Sequence, residues 1–510
     1  MPRVLVIGLD GATFDLLMPW IRAGELPVLN SLMQHGLYGY LRSTIPMFTP
    51  TAWSSFMTGM NPGKHGITGF IIYDRSNRPM VASAKNRRGD EIWTILSRHG
   101  KRVIVINVPM TYPPKPVNGI LISGFPAPSR GFVYPPELEP WLKRIGYKIH
   151  PGVEYEEGRE DVFIRAIWEG TKRRAEVALK LMRAFPWDFF MVVFMGTDWL
   201  QHALWRFLDE KHPRYVPNKA SKYRRALLQY YKYVDDIIGR MIAEAGPNTY
   251  VIIMSDHGFG SLHKFIHVNI WLIKCGLLRL KNNFLTRFKK LLYTLNLTPE
   301  NIYYLMSKLH LASVRHRLGR ERGHRLIERL FLSFEDIDWN RTLAFSLGSM
   351  GQIYINRKKV KNPRTYLRLR HHIVTLLKGL RDPETGEHVI EQVFTKEQVY
   401  HGPLLYKMPD ILFLPKPGYI SFEEYEFASN KVFSSSKTIS GTHQLYGVLI
   451  ISHPNLRGPT KLEPPPKIED IAPTILALLN VPIPRSMDGR PILFRNKNLL
   501  KSPKIWVKNQ

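Results

Sequence analysis

Val4-Leu5-Val6-Ile7-Gly8-Leu9-Asp10 stands at the start of the chain, and its reading decides the fold. The run is apolar without alternation and ends in an acid. A strand wetted on one face alternates polar and apolar residues, whereas a strand covered on both faces does not. Val4–Leu9 therefore reads as a central buried strand with Asp10 at its exit. Working outward, similar runs recur at Val103–Val108, Phe189–Phe194, Tyr250–Met254, Ile411–Leu414 and Val448–Ile451. Helical patterns lie between them, as at Arg165–Phe185 and Lys222–Ala245. This alternation predicts an α/β fold: a mostly parallel sheet with helices on both faces.

The chain has 510 residues, 44% hydrophobic and 22% charged, which suits a large globular core with an insertion. Its only cysteine is Cys275, so an intrachain disulfide and a cysteine-based metal cluster are excluded. Val4–Leu9 is too short for a signal-peptide core, and no apolar run is long enough to span a bilayer. The expected location is cytoplasmic, with peripheral membrane contact as an option. The formal charge of +30 favours anionic partners: phosphorylated small molecules, nucleic acid or an anionic membrane.

Two segments interrupt the alternation. Pro113 to about Glu160 is rich in Pro and Gly and reads as a loop-rich elaboration. Residues 270–339 are helical in pattern and basic, with Arg287, Lys289, Lys290, Arg315, Arg317, Arg320, Arg322, Arg325 and Arg329 among Leu, Phe and Tyr. They read as a cap inserted into the core, with contact to an anionic membrane or polyanion as the sharper alternative to a solvated subdomain. The expected division is a discontinuous core at 1–269 and 340–495, a helical cap at 270–339 and a basic tail at 496–510. Strand-like text resumes at Gln352–Asn356, and Ile468–Leu479 reads as an amphipathic helix.

Functional residues of such sheets collect just past the carboxyl ends of strands. Asp10, Asp198 and Asp256-His257 all follow strand-like runs. Asp198 and His202 are four apart, hence on one face of a helix. His443 lies in the polar stretch Ser440-Gly441-Thr442-His443. Together these residues offer mixed N and O ligands suited to zinc or manganese. After the first strand comes Thr49 in a Pro-punctuated turn, then a short helix with a stop at Gly59, followed by Asn61-Pro62-Gly63-Lys64-His65-Gly66. A hydroxyl at a helix N-terminus is placed for phosphate, because free N–H groups and the dipole both favour an anion. The plainer reading makes Thr49 or Thr51 an N-cap.

Gly8-Leu9-Asp10-Gly11, Thr49 with Thr58-Gly59, Pro62-Gly63-Lys64-His65-Gly66, Asp198 with His202, Ser255-Asp256-His257-Gly258 and His443 form an ordered set. Asp470-Ile471-Ala472-Pro473-Thr474 and Met487-Asp488-Gly489 close it. The set resembles the alkaline phosphatase superfamily, in its type I phosphodiesterase/nucleotide pyrophosphatase branch. The resemblance implies an alkaline-phosphatase-like fold and hydrolysis of a phosphate ester or pyrophosphate. It implies two divalent metal ions, zinc first and manganese second. One would be held by Asp198, His202 and His443, the other by Asp10, Asp256, His257 and the Thr49 hydroxyl. Thr49 would be the nucleophile of a phosphoenzyme mechanism.

The chain departs from the branch in places. The Asn that follows the nucleophile in nucleotide pyrophosphatases is missing from Pro50-Thr51-Ala52-Trp53. The sulfatase signature is absent. His443 precedes a strand-like run instead of following one, which requires either an antiparallel strand or a loop reaching across the sheet. Thr51 is the rival nucleophile. His65 reads as structural, His263 and His267 as ordinary loop histidines with a place in the pocket lining as the alternative, and Lys64 as either a phosphate ligand or an exposed cation. A phosphomonoesterase, a phosphoglycerate mutase-like enzyme and a phosphotransferase are the neighbouring activities. A non-catalytic polyanion- or membrane-binding protein is the alternative from another class.

Overall fold

The computed structural model describes residues 2–73, 79–308, 330–347, 350–421 and 427–494. The run Val4–Leu9 lies at the centre of a nine-stranded sheet, as strand Arg3–Leu9. Thr249–Met254 flanks it on one side and Phe189–Phe194 on the other, both parallel to it. Val103–Val108 and Gly119–Ser123 continue the parallel order outward. Beyond Thr249–Met254, Tyr446–Ser452 runs antiparallel, followed by Gly36–Arg42. Two-residue strands Thr460–Lys461 and Val133–Tyr134 close the edges.

The absence of alternation in the central strand has the expected cause. Leu5, Ile7 and Leu9 point into one apolar cluster, Val4 and Val6 into another on the opposite face. Helices Phe14–Arg22, Glu160–Ala184 and Pro217–Ala245 cover the first face. Helices Thr49–Thr58, Ile92–Arg98 and Ile471–Leu478 cover the second. Ile471–Leu478 differs from its expected amphipathic form. Seven of its residues are buried, because it packs beneath both the helix carrying Thr49 and Ile92–Arg98.

The region after Pro113 is less irregular than its composition indicates. Gly119–Ser123 is a sheet strand, with Ile120, Leu121 and Ile122 buried behind a surface glycine. Ile411–Pro415 is a strand, but outside the central sheet. It runs antiparallel between Gln352–Ile355 and Ile390–Thr395, and Ala344–Phe345 completes that four-stranded layer. One apolar cluster joins Trp271, Leu278 and Phe331 to Ile353, Ile373 and Phe413. The core of this layer thus runs across the 339/340 boundary drawn from the sequence. Arg315, Arg317, Arg320, Arg322, Arg325 and Arg329, and the tail 496–510, lie outside the described residues.

Candidate active site

Each candidate residue stands at the carboxyl edge of the central parallel strands, for a local reason. Asp10 directly follows strand Arg3–Leu9. Asp198 and His202 sit one turn apart on helix Gly196–Leu204, which starts two residues after strand Phe189–Phe194. Asp256 and His257 occupy the short link from Thr249–Met254 to strand Gly258–Ile266. His443 belongs to strand Gly441–Gln444, paired antiparallel to Gly258–Ile266 with His443 opposite Phe259. The strand after it, Tyr446–Ser452, is antiparallel to the core. Its start therefore lies at the same edge as the other strands' exits. This resolves the position of His443 in favour of the antiparallel alternative.

Thr49 is the first residue of the ten-residue helix Thr49–Thr58 and is buried. It is not the cap: Phe48 is, and no side chain caps this end. Its Oγ1 lies 3.3 Å from His257 Nε2. Thr51 is fully buried, with no hydrogen-bond partner for its hydroxyl among the described residues, and does not line the cavity beside the site. The helix stops at Gly59, whose φ of 64° is left-handed.

Six of the seven side chains form two groups. Donor atoms of Asp198, His202 and His443 all lie within 4.8 Å of one another, and so do those of Asp10, Asp256 and His257. The groups adjoin: the His257 and His443 rings stack with centroids 3.6 Å apart. The imidazoles share one orientation. Nδ1 of His202 donates to the Gly441 carbonyl at 2.8 Å, that of His443 to Met47 at 3.1 Å and that of His257 to Gly258 at 3.0 Å. Each ring therefore presents the lone pair of Nε2 to the cluster, the tautomer of a metal-ligating histidine. His202 Nε2 and His443 Nε2 come within 3.0 Å, and Asp198 Oδ1 lies 3.4 and 3.3 Å from them. Asp10 Oδ1, Asp198 Oδ1 and Asp256 Oδ2 are buried and accept no hydrogen bond among the described residues. Lone pairs converging this closely repel one another unless cations lie between them, and the donor set fits two divalent ions.

The electrostatics agree. Burial, and then the charges of Asp256 and Asp198, hold the Asp10 carboxyl well above the usual range. Burial with the Asp198 charge pushes Asp256 up to about 8. Burial also acts to raise Asp198, but the neighbouring His202 and His443 override it and hold this carboxyl low. Burial holds His257 and His443 down, in the neutral form a ligand needs; at His202 burial also acts to lower, but the Asp198 charge overrides it and raises this imidazole.

Residues that sequence reasoning passed over brace the cluster. Trp53, one turn after Thr49, donates its indole N–H to Asp10 Oδ2 at 2.8 Å. Gln201 donates to the Gly11 carbonyl at 2.8 Å and Thr197 to that of Asp10 at 2.6 Å. Gly11 has φ +65°, and a Cβ there would meet Phe259 at 2.9 Å and the Asp198 carboxylate at 3.2 Å. Only glycine lets the loop pass so close. The i, i+4 spacing of Thr49 and Trp53 was the available signal for the indole.

Other expectations resolve plainly. His65 is structural: Nε2 donates to Ser55 Oγ at 2.9 Å and Nδ1 accepts from Ile67 N–H at 3.1 Å. Lys64 pairs with Asp488 at 2.5 Å, so it is neither a phosphate ligand nor a solvated cation. His263 bonds Ser261 and stands off the cavity. His267 corrects the loop reading: it is buried and lines the cavity. That cavity, about 440 Å³, opens beside Thr49, Asp198, His202 and His443, and is walled largely by aromatic rings, among them Phe48, Phe70, Phe125, Trp199, Tyr303 and Tyr304.

A family model described as type I phosphodiesterase / nucleotide pyrophosphatase matches residues 4–444. The chain belongs to this family. It is accordingly a phosphoric ester hydrolase of a metal-dependent family, within the alkaline phosphatase superfamily. No curated protein matches it in sequence. Solved structures of the same fold include murine ectonucleotide pyrophosphatase/phosphodiesterase 5, an inactive threonine-to-alanine variant in complex with AMP. That chain is 14% identical, with 98% of this chain and 100% of that one covered and a TM-score of 0.54. The human counterpart gives 14% identity, the same coverage and 0.53. Phosphonoacetate hydrolase from Sinorhizobium meliloti 1021, in complex with phosphonoformate, gives 16%, 94% and 96% coverage, and 0.55. As a family member, this protein shares their α/β architecture.

Proposed function

We propose that this protein cleaves a phosphodiester or pyrophosphate bond with Thr49 as nucleophile and a divalent ion in each donor cluster. The observation that carries the reading is the convergence around Thr49 of three Nε2 atoms and three carboxylate oxygens that accept no hydrogen bond among the described residues. Asp198, His202 and His443 would hold one ion; Asp10, Asp256, His257 and Thr49 Oγ1 would hold the other. Bound there, two divalent ions supply Lewis acidity to the attacking and leaving oxygens of an in-line displacement. Three imidazoles among three carboxylates suit zinc best, with manganese second.

The chain's own groups do the rest. The positive end of helix Thr49–Thr58 favours the phosphate anion. Thr49 Oγ1 gives up its proton to solvent and forms a bond to phosphorus as the bond to the leaving oxygen breaks. That oxygen departs with the electron pair and takes a proton from solvent. Water then attacks the phosphothreonine, releases the product and restores the hydroxyl. The aromatic cavity receives the organic group, and excludes water from the reacting face. Two relatives support this reading by their ligands, AMP and phosphonoformate, and one by its inactivating replacement of threonine.

The test is hydrolysis of bis-p-nitrophenyl phosphate beside p-nitrophenyl phosphate, with zinc, manganese or chelator, for wild type and Thr49→Ala. Diester cleavage that needs metal and disappears in Thr49→Ala is the expected result. Preference for the monoester would move the enzyme to the phosphatase side, and activity surviving Thr49→Ala would remove Thr49 from its role.

A further inference from the structure

Helix Phe284–Thr294 is amphipathic in the wrong direction for a soluble protein. Its inward face is polar: Thr286, Lys289 and Tyr293 are buried. Thr286 and Lys289 both bond Asp336 at 2.8 Å, and Tyr293 donates to the Phe427 carbonyl. Its outward face is apolar. Phe284 is 86% exposed, Phe288 47%, Leu291 54% and Leu295, just past the helix, 62%. The spacing of four, three and four residues puts these side chains in one stripe. Leu285 and, beyond the helix, Leu297 widen it. Three polar hydrogen-bonding residues facing inward fix this orientation, so the helix cannot roll to hide the stripe without leaving buried polar groups unpaired. A soluble surface rarely exposes such a row without a partner for it.

We infer that this stripe docks the protein on an anionic membrane surface. Charge selects that occupant. From His257 to Pro299 the chain has no acidic residue, while Lys274, Arg279, Lys281, Arg287 and Lys290 in this stretch are all exposed. Arg287 and Lys290 stand within the helix itself, beside the apolar row. An apolar face rimmed by cations, on a protein of formal charge +30, matches acyl chains beneath anionic headgroups. No described helix is long and apolar enough to cross a membrane, so the helix lies in the interface instead of spanning it. The chain running on from this helix carries Pro299, Glu300, Tyr303 and Tyr304, which line the cavity beside Thr49. The stripe and the cavity are thus joined by one short stretch of chain, and the docking proposal itself does not depend on the phosphodiesterase reading.

The test uses full-length protein and flotation with vesicles of phosphatidylcholine alone or with phosphatidylglycerol added. Three proteins are compared: wild type, Phe288→Ser/Leu291→Ser and Arg287→Ala/Lys290→Ala. The substituted side chains are exposed, and matching thermal melts verify folding. Wild type floats with the anionic vesicles. Phe288→Ser/Leu291→Ser loses binding by roughly tenfold or more, as removal of two inserting side chains requires. Arg287→Ala/Lys290→Ala loses the preference for phosphatidylglycerol. An environment-sensitive dye on Phe288→Cys, in a Cys275→Ala background, shifts to the blue on vesicle addition. Failure of wild type to float overturns the proposal. Equal flotation of wild type and Phe288→Ser/Leu291→Ser also overturns it, since net charge alone would then bind the vesicles. A concentration-dependent dimer abolished by the same substitutions overturns it in favour of a second copy on this face.

Discussion

Replacing Trp53 by Phe tests the cluster without touching a donor atom. The indole lies against the central strand at Gly8, where an added Cβ would stand 2.7 Å from Trp53 Cη2. From there its N–H reaches Asp10 Oδ2 at 2.8 Å, the only hydrogen bond to the Asp10 carboxylate among the described residues. Phe keeps an aromatic ring on the helix but removes that donor. A hydrogen bond to a charged group contributes ~1.5–3 kcal/mol. At about 1.4 kcal/mol per decade, its loss corresponds to a drop in metal affinity of one to two decades. This agrees with the roughly 10–100-fold effect of removing a group that orients a metal ligand. Competition with a zinc chelator, read as bound zinc per chain, measures the change, and thermal melts with and without metal report folding separately. A Trp53→Phe protein that folds and binds zinc within about twofold of wild type would refute the argument.

Four more outcomes are expected. Thr49→Ala abolishes turnover, by roughly 1,000-fold or more, while Thr51→Ala retains most activity; the reverse order in a steady-state assay would exchange their roles. Lys64→Ala lowers stability by about 1 kcal/mol through loss of the Asp488 pair and leaves KM unchanged, whereas a raised KM would return Lys64 to the phosphate. His65 is held down to about 3 by burial and then by the Arg87 charge, so the unfolded state binds the extra proton between pH 6.5 and 3. Stability then rises with pH through that window and is lost as pH falls, at up to about 1.4 kcal/mol per unit. Denaturant unfolding at several pH values will give a shallower slope for His65→Gln, and an unchanged slope would count against the buried neutral ring. Finally, Gly11→Ala loses metal and activity together because its Cβ displaces Phe259 or Asp198; retained metal content would contradict that crowding.

The fold was readable because strands covered on both faces carry their burial in their composition. Val4–Leu9, Val103–Val108 and Phe189–Phe194 needed no partner to be recognised. Gly36–Arg42 and Gly119–Ser123 escaped notice, the first broken by glycines and tyrosines, the second short and set in Pro-rich text. Ile411–Pro415 was recognised as a strand but not as a member of another sheet, because apolar composition reports burial and not which layer provides it. The candidate ligands were legible for a related reason. Acids and imidazoles directly after buried strands are unusual, and parallel strands bring their exits to one edge.

The sequence by itself determined the α/β class, the family, the ligand-type residues at the strand exits and the short helix that ends at Gly59. These are local properties, set by residue type and spacing. Only the tertiary structure decided that the strand after His443 runs antiparallel and so returns it to the site. It also decided that Trp53 serves Asp10, that Lys64 is spent on Asp488, and that Phe284–Thr294 turns its apolar face outward. Each depends on which distant segments meet. A periodic pattern marks two faces of a helix, but which face meets the protein is fixed by the partners waiting there, here Asp336 and the Phe427 carbonyl.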